Sequence, residues 1–108
     1  HSDADAGGLL RHVLDAGFDG ADCLATAPLV KETLRDYLDA WQGRIVCWGG
    51  LPSVAFDGSW QMDAFRACVD ETARVAAGRS DVIIGASDNV MPGASWDKLL
   101  YVRDAFCR

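Results

Sequence analysis

The sequence has four cysteines, and no two of them are close. Cys23, Cys47, Cys68 and Cys107 lie 24, 21 and 39 positions apart, so there is no CxxC pair. Structural zinc sites draw on closely spaced ligand pairs, and this spacing argues against one. Each cysteine stands among apolar residues, as a small buried hydrophobe does. The expectation is therefore buried thiols in a reducing cytoplasm rather than disulfides. There is no signal-peptide pattern and no run of about 18 apolar residues that could span a bilayer. Cations are few: Lys and Arg total 10 against 16 Asp and Glu, for a net charge of −6. They are scattered along the chain, which argues against a nucleic-acid surface built on phosphate neutralisation. A small anionic substrate held by a local site remains compatible with that balance.

What is present is a globular composition: 108 residues, 50% hydrophobic and 24% charged. This is enough for one domain or a piece of one, with a core of modest size. The chain opens on His-Ser-Asp with no Met, which reads as a segment of a longer protein.

Helical and extended patterns alternate. Leu9, Leu10, Val13 and Leu14 fall on one helical face, and Gly17 supplies a stop. Residues 20–25 are short and extended. Pro28 suits the first turn of a helix carrying Leu29, Val30, Thr33, Leu34, Tyr37, Leu38 and Trp41, with Gly43 beyond its end. Residues 44–51, RIVCWGGL, form a continuous apolar run that fits a strand buried on both faces. Ser59 is placed to cap a helix running to about Ala77, with Phe65, Val69, Thr72 and Ala76 inward. Residues 81–87 are a third strand. Ser95 then opens a last helix with Leu99, Leu100, Val102 and Phe106.

Strands joined by helical crossovers are parallel, so the chain reads as α/β. A three-stranded parallel sheet exposes apolar edges, which predicts self-association, including a homodimer, when the segment stands alone.

The stretch VIIGASDNVMPG (82–93) ends a buried strand in a carboxylate and an amide. Ligands bind at the carboxyl ends of parallel strands. Those ends collect Thr26, Trp48, Gly49, Gly50, Ser87, Asp88 and Asn89, with His1 and Asp3 following a strand expected upstream. An Asp in such a mouth accepts hydrogen bonds from substrate N–H groups, orients a base or binds a metal. Plainer uses stand beside these. Ser2 and Asp3 can cap the first helix, Asp88-Asn89 can form a turn, Gly49-Gly50 can serve the backbone alone, and His1 can be a frayed end. His12 is expected on the surface, and Trp41, Trp60 and Trp96 in packing. Asp36, Asp39, Asp70 and Glu71 read as a solvated face.

HSDAD followed by LLRHVLDAGFDG, then RIVCWGGLP, then VIIGASDNVMPGASWDKL, resembles the carboxyl-terminal part of the uroporphyrinogen decarboxylase superfamily. The likeness runs in order over nearly all of the chain. It implies about the last three βα units of a (β/α)₈ TIM barrel, residues 1–108 forming one segment without the barrel's amino-terminal part. It also implies a cofactor-independent decarboxylase, a carbon-carbon lyase acting on pyrrole acetate side chains. Asp88 and His1 would be catalytic, with Asp3, Trp48, Gly49, Gly50, Ser87 and Asn89 in contact with a small anionic substrate of tetrapyrrole type.

The superfamily also contains corrinoid- and coenzyme M-linked methyltransferases, which hold zinc through a His-x-Cys pair and a later Cys. Here those positions read His1-Ser2-Asp3 and Asp88, so zinc belongs only to that alternative, as an oxygen-rich site. A non-catalytic, ligand-binding barrel is the third reading. The segment alone is expected to be inactive under all three.

Overall fold

The computed structural model describes residues 5–107. Strands β1 (Gly20–Leu24), β2 (Val46–Leu51) and β3 (Val82–Ala86) alternate with helices α1 (Leu10–Asp15), α2 (Leu34–Trp41), α3 (Met62–Ala76) and α4 (Trp96–Phe106). The strands form one sheet in the order β1-β2-β3, and both pairings are parallel. Cys47 to Leu51 run in continuous register with Val82 to Ala86. The β1–β2 register shifts between Ala21 and Leu24, where Cys23 takes a φ of 51°, as a bulged residue does.

The helices cover one sheet face. Leu34, Tyr37, Leu38 and Trp41 of α2 pack with Leu24, Ile45 and Cys47. Phe65 and Val69 of α3 pack with Leu51, Ala55 and Phe56, with Tyr101, Val102 and Phe106 of α4 laid against them. Aromatic edges meet there, Phe56 to Phe65 at 5.3 Å and Phe65 to Tyr101 at 6.3 Å between centroids. Two polar anchors fix α2. The Trp41 indole donates to the Leu10 carbonyl at 2.9 Å, and the Tyr37 hydroxyl donates to the Ala25 carbonyl at 2.7 Å. Burial, followed by the charges of Glu32 and Asp5, pushes the Tyr37 hydroxyl up to about 12. The other sheet face is bare: Trp48 and Ile83, paired across β2 and β3, are 52% and 47% exposed.

Several boundaries differ from the sequence reading. α2 does not start near Pro28. The Ala27–Pro28 bond is cis, and the helix opens at Thr33 through a capping box with Asp36. The Thr33 N–H donates to Asp36 Oδ2 at 2.7 Å and the Asp36 N–H donates to Thr33 Oγ1 at 3.3 Å. Two orphan donors are thereby satisfied, a stronger start signal than a proline five residues earlier. Asp36 is therefore a cap, not merely a solvated charge.

Ser59 does not cap α3. Its N–H and hydroxyl both donate to Asp57 Oδ1, and the helix starts after Gln61. Ser95 stands at the start of α4 without a side-chain cap bond. Cys47 is buried and Cys23 and Cys68 are half-buried, none of them in a disulfide, but Cys107 is exposed, just past the end of α4. Trp41 is buried, whereas Trp96 is 69% exposed and packs little.

Two outcomes follow from this architecture. The bare apolar face that carries Trp48 and Ile83 predicts self-association of the 108-residue chain at micromolar concentration. Sedimentation should show dimers or larger species, and Trp48→Lys with Ile83→Lys should shift them towards monomer. A cooperatively unfolding monomer of the parent sequence would contradict this. The second concerns Asp81, whose carboxylate takes both prongs of Arg79 at 2.9 and 2.8 Å. That contact holds its carboxyl below the ordinary value of 3.8. The stability it supplies is complete above 3.8 and is lost as pH falls through the lower folded value. Denaturant unfolding followed from about pH 5 to pH 2 should show an acid limb that Asp81→Asn makes shallower.

Candidate functional site at the carboxyl ends of the strands

Beyond β3 the chain turns away from the sheet, and Asp88 and Asn89 emerge into solvent. The Asn89 N–H donates to Asp88 Oδ1 at 2.7 Å, which orients the carboxylate. These two residues line a cavity of about 560 Å³ with Asp5, Asp57, Ser53 and Val54, closed on its apolar side by Leu29, Val30 and Met91. Three carboxylates and an amide thus face one opening at the carboxyl ends of the strands. No Lys or Arg is among the residues that line it. Asp57 is held in its ionised form: the Ser59 hydroxyl and then the Ser59 N–H keep its carboxyl below the ordinary value. Such a mouth accepts hydrogen bonds from N–H donors and favours positive charge developing on a ligand.

The loop after β2 carries Ser53, Val54 and Asp57, and it is pinned from two sides. Ser87 is buried, at 1% exposure. Its N–H donates to the Leu51 carbonyl at 2.8 Å, and its hydroxyl accepts the Ser53 N–H at 3.3 Å. Lys98 provides the second pin. It is only 3% exposed, and its ammonium donates to the carbonyls of Ala55, Asp57 and Trp60 at 2.9, 2.6 and 2.8 Å. All three of its protons are used, and the Phe65 ring lies 5.3 Å from the nitrogen. The sequence reading passed over Lys98. The available signal was a lone lysine at three- and four-residue spacing from Tyr101 and Val102, on the face that α4 turns inward.

The expected site residues therefore separate. Asp88 and Asn89 reach the rim. Ser87 is turned into the protein and acts as a stitch between two loops, so it is not at the mouth. Gly49 and Gly50 have φ of 145° and 96°. A Cβ on Gly49 would lie 3.5 Å from the Leu24 backbone, and one on Gly50 would come within 3.1 Å of Leu34. Both glycines serve close packing beside β1 and beneath α2.

Trp48 is not at the rim. It pairs with Ile83 near the start of β3, and Gly85 leaves room for its indole to run along the bare face. A shallow depression there is lined by Trp48, Val46, Ile83 and Asp22. Residue alternation explains the error: position 48 points away from the helix side that Cys47 occupies. His1 and Asp3 lie outside the described residues. Asp5, Leu29, Val30, Ser53, Asp57 and Met91 are rim residues that the sequence reading did not collect, because loop packing rather than strand ends places them.

Two buried polar atoms, Thr26 Oγ1 and Glu32 Oε2, lack a hydrogen-bond partner among the described residues. The Glu32 carboxylate lies against Gly7, where a Cβ would fall 2.1 Å from Oε1, so a side chain there would have to displace the carboxylate.

The described residues contain no group of three His, Cys, Asp or Glu close enough to hold a metal ion, and no cysteine lines the rim cavity. No helix among them is long and apolar enough to cross a membrane.

The fold and rim define an α/β chain with a three-stranded parallel sheet, flanking helices and an acidic mouth at the strand ends. A scan against protein-family models and searches of curated proteins and of solved structures each returned no match.

Lys98→Met should lower unfolding stability by about 3 kcal/mol, because it strands three carbonyls without a donor. A shift in the denaturant midpoint measures this. A change below about 0.5 kcal/mol would show that the loop does not depend on the ammonium.

Proposed function

We propose that this chain is the carboxyl-terminal portion of a uroporphyrinogen decarboxylase-like (β/α)₈ barrel, a carbon-carbon lyase acting on pyrrole acetate side chains. The observation that carries the reading is the rim itself: Asp88, Asp57 and Asp5 face one cavity at the carboxyl ends of consecutive parallel βα units. The one-sided sheet supports the same architecture. In a closed barrel the helices lie outside, and the bare face bearing Trp48 and Ile83 becomes interior.

The chemistry asked of such a rim is modest and electrostatic. Loss of carbon dioxide from a pyrrole acetate proceeds once the ring is protonated, because the electron pair released on C–C cleavage then neutralises the cationic ring. Carboxylates fixed in advance around the ring N–H groups stabilise that cation where it develops. Asp88 accepts from the ring N–H groups, Asn89 keeps its carboxylate oriented, and Leu29, Val30 and Met91 contact the apolar ring edge. The substrate's own carboxylates are held elsewhere in the whole protein, since three like charges at this mouth repel them. The donor set favours this reading over corrinoid-linked methyl transfer, since a zinc-bound thiol acceptor calls for soft ligands and no thiolate reaches the rim.

The test is decarboxylation of uroporphyrinogen by the whole protein, read as kcat/KM. Asp88→Asn should lower it at least about tenfold, the worth of one charge-assisted hydrogen bond. An unchanged value would remove Asp88 from the site. Failure of the parent protein both to bind and to turn over uroporphyrinogen would overturn the reading.

A further inference from the structure

We propose that the groove between α2 and α3, above the carboxyl end of β2, is a second small-molecule site that takes a monocarboxylic acid with an apolar body. The groove encloses about 340 Å³, within the roughly 300–1,000 Å³ range of small-ligand sites. Its walls are largely apolar, formed by Leu34, Pro52, Val75 and Cys68. Burial pushes the Cys68 thiol up, so that wall is neutral. The floor is open because residue 50 has no side chain: a Cβ there would stand 3.1 Å from Leu34 Cδ2 and 3.4 Å from Thr72 Cγ2.

Three features choose the ligand's polar end. Arg35 lines the groove from the second position of α2 and makes no ion pair among the described residues. The other charged lining residue, Glu71, is already paired with Arg74 at 2.7 Å. Arg35 is therefore the lining charge left without an ion-pair partner among the described residues. Thr26 lines it as well, 3% exposed, with a hydroxyl that finds no hydrogen-bond partner among the described residues. An unpaired buried hydroxyl costs stability unless a ligand or water completes it. Finally, the Leu34 and Arg35 N–H groups stand in the first turn of α2, where no intrahelical carbonyl can receive them and the dipole favours negative charge. A carboxylate seated between Arg35 and the start of α2 meets all three, and its apolar body fills the wall side.

The site is separate from the rim cavity in both lining and sign of charge. Both walls belong to consecutive helices of this chain, so no further segment is needed to build it.

Titrating benzoate into the protein, with benzyl alcohol and benzylamine as controls, tests the proposal by amide chemical shifts. Benzoate should shift Thr33 to Arg35 and Gly50 saturably at concentrations up to about 10 mM. Arg35→Gln should weaken benzoate at least about tenfold and leave benzyl alcohol unchanged. Thr26→Val, which removes a hydroxyl with no partner in the fold, should keep the native spectrum and weaken benzoate severalfold. Absence of a saturable shift, benzylamine binding as well as benzoate, or an Arg35→Gln protein that binds benzoate normally would each overturn the proposal. Uroporphyrinogen turnover is read independently, so failure of one site leaves the other standing.

Discussion

The segment between β2 and α3 carries half of the rim, yet it has little regular structure beyond one short 3₁₀ stretch, Ser53–Phe56. Its shape depends on one buried ammonium. Lys98 reaches from α4 to this segment and satisfies three of its carbonyls, those of Ala55, Asp57 and Trp60. A lysine is costly to bury unless every proton finds an acceptor, and here every one does. The contact fixes loop and helix together: moving α4 strands the carbonyls, and moving the loop strands the charge. Ser87 adds a second tie from β3, and the Ser95 N–H a third, to the Phe56 carbonyl at 3.0 Å. Asp57 and Asp88 therefore face the same cavity because of α4, an element that contributes no side chain to it.

The sheet is asymmetric for a related reason. Each crossover returns its helix to the same face, so Cys47, Leu51, Val82, Ile84 and Ala86 are covered while Trp48 and Ile83 are not. Burial pushes the Cys47 thiol up to about 12, which leaves it a neutral packing group. An uncovered tryptophan beside an uncovered isoleucine in mid-sheet is an exposed apolar patch of the kind that marks a contact surface.

Much of this order was legible in the chain. The alternation of apolar runs with three-four periodicity gave all three strands, all four helices and their parallel sense. The starts of α2 and α3 were less legible. Pro28 and Thr33 both suit a first turn, and the reciprocal bonds of Thr33 with Asp36 decide for the latter. Ser59 had the right chemistry, but Asp57 two residues earlier captured it. The site was half legible. Asp88 and Asn89 follow directly from the rule that strand ends carry function, because the chain leaves β3 at once. Trp48 failed because face and rim are different coordinates, and apolar character fixes neither. Asp5, Asp57 and Met91 were beyond reach: their convergence is set by Lys98 and Ser87, contacts between residues tens of positions apart.

Charge then distinguishes the two cavities. The rim has carboxylates without a cation, and the interhelical groove has an arginine whose carboxylate neighbour is already taken. They lie on either side of the carboxyl end of β2, with Gly50 flooring the groove and Ser53, three residues on, lining the rim. Their opposite signs mean that one ligand cannot satisfy both. The acidic rim suits donors and developing cations, and the proposed groove site suits a carboxylate. Ser53 lies in the loop that Ser87 and Lys98 tie down, so the backbone between the two cavities is fixed at both points.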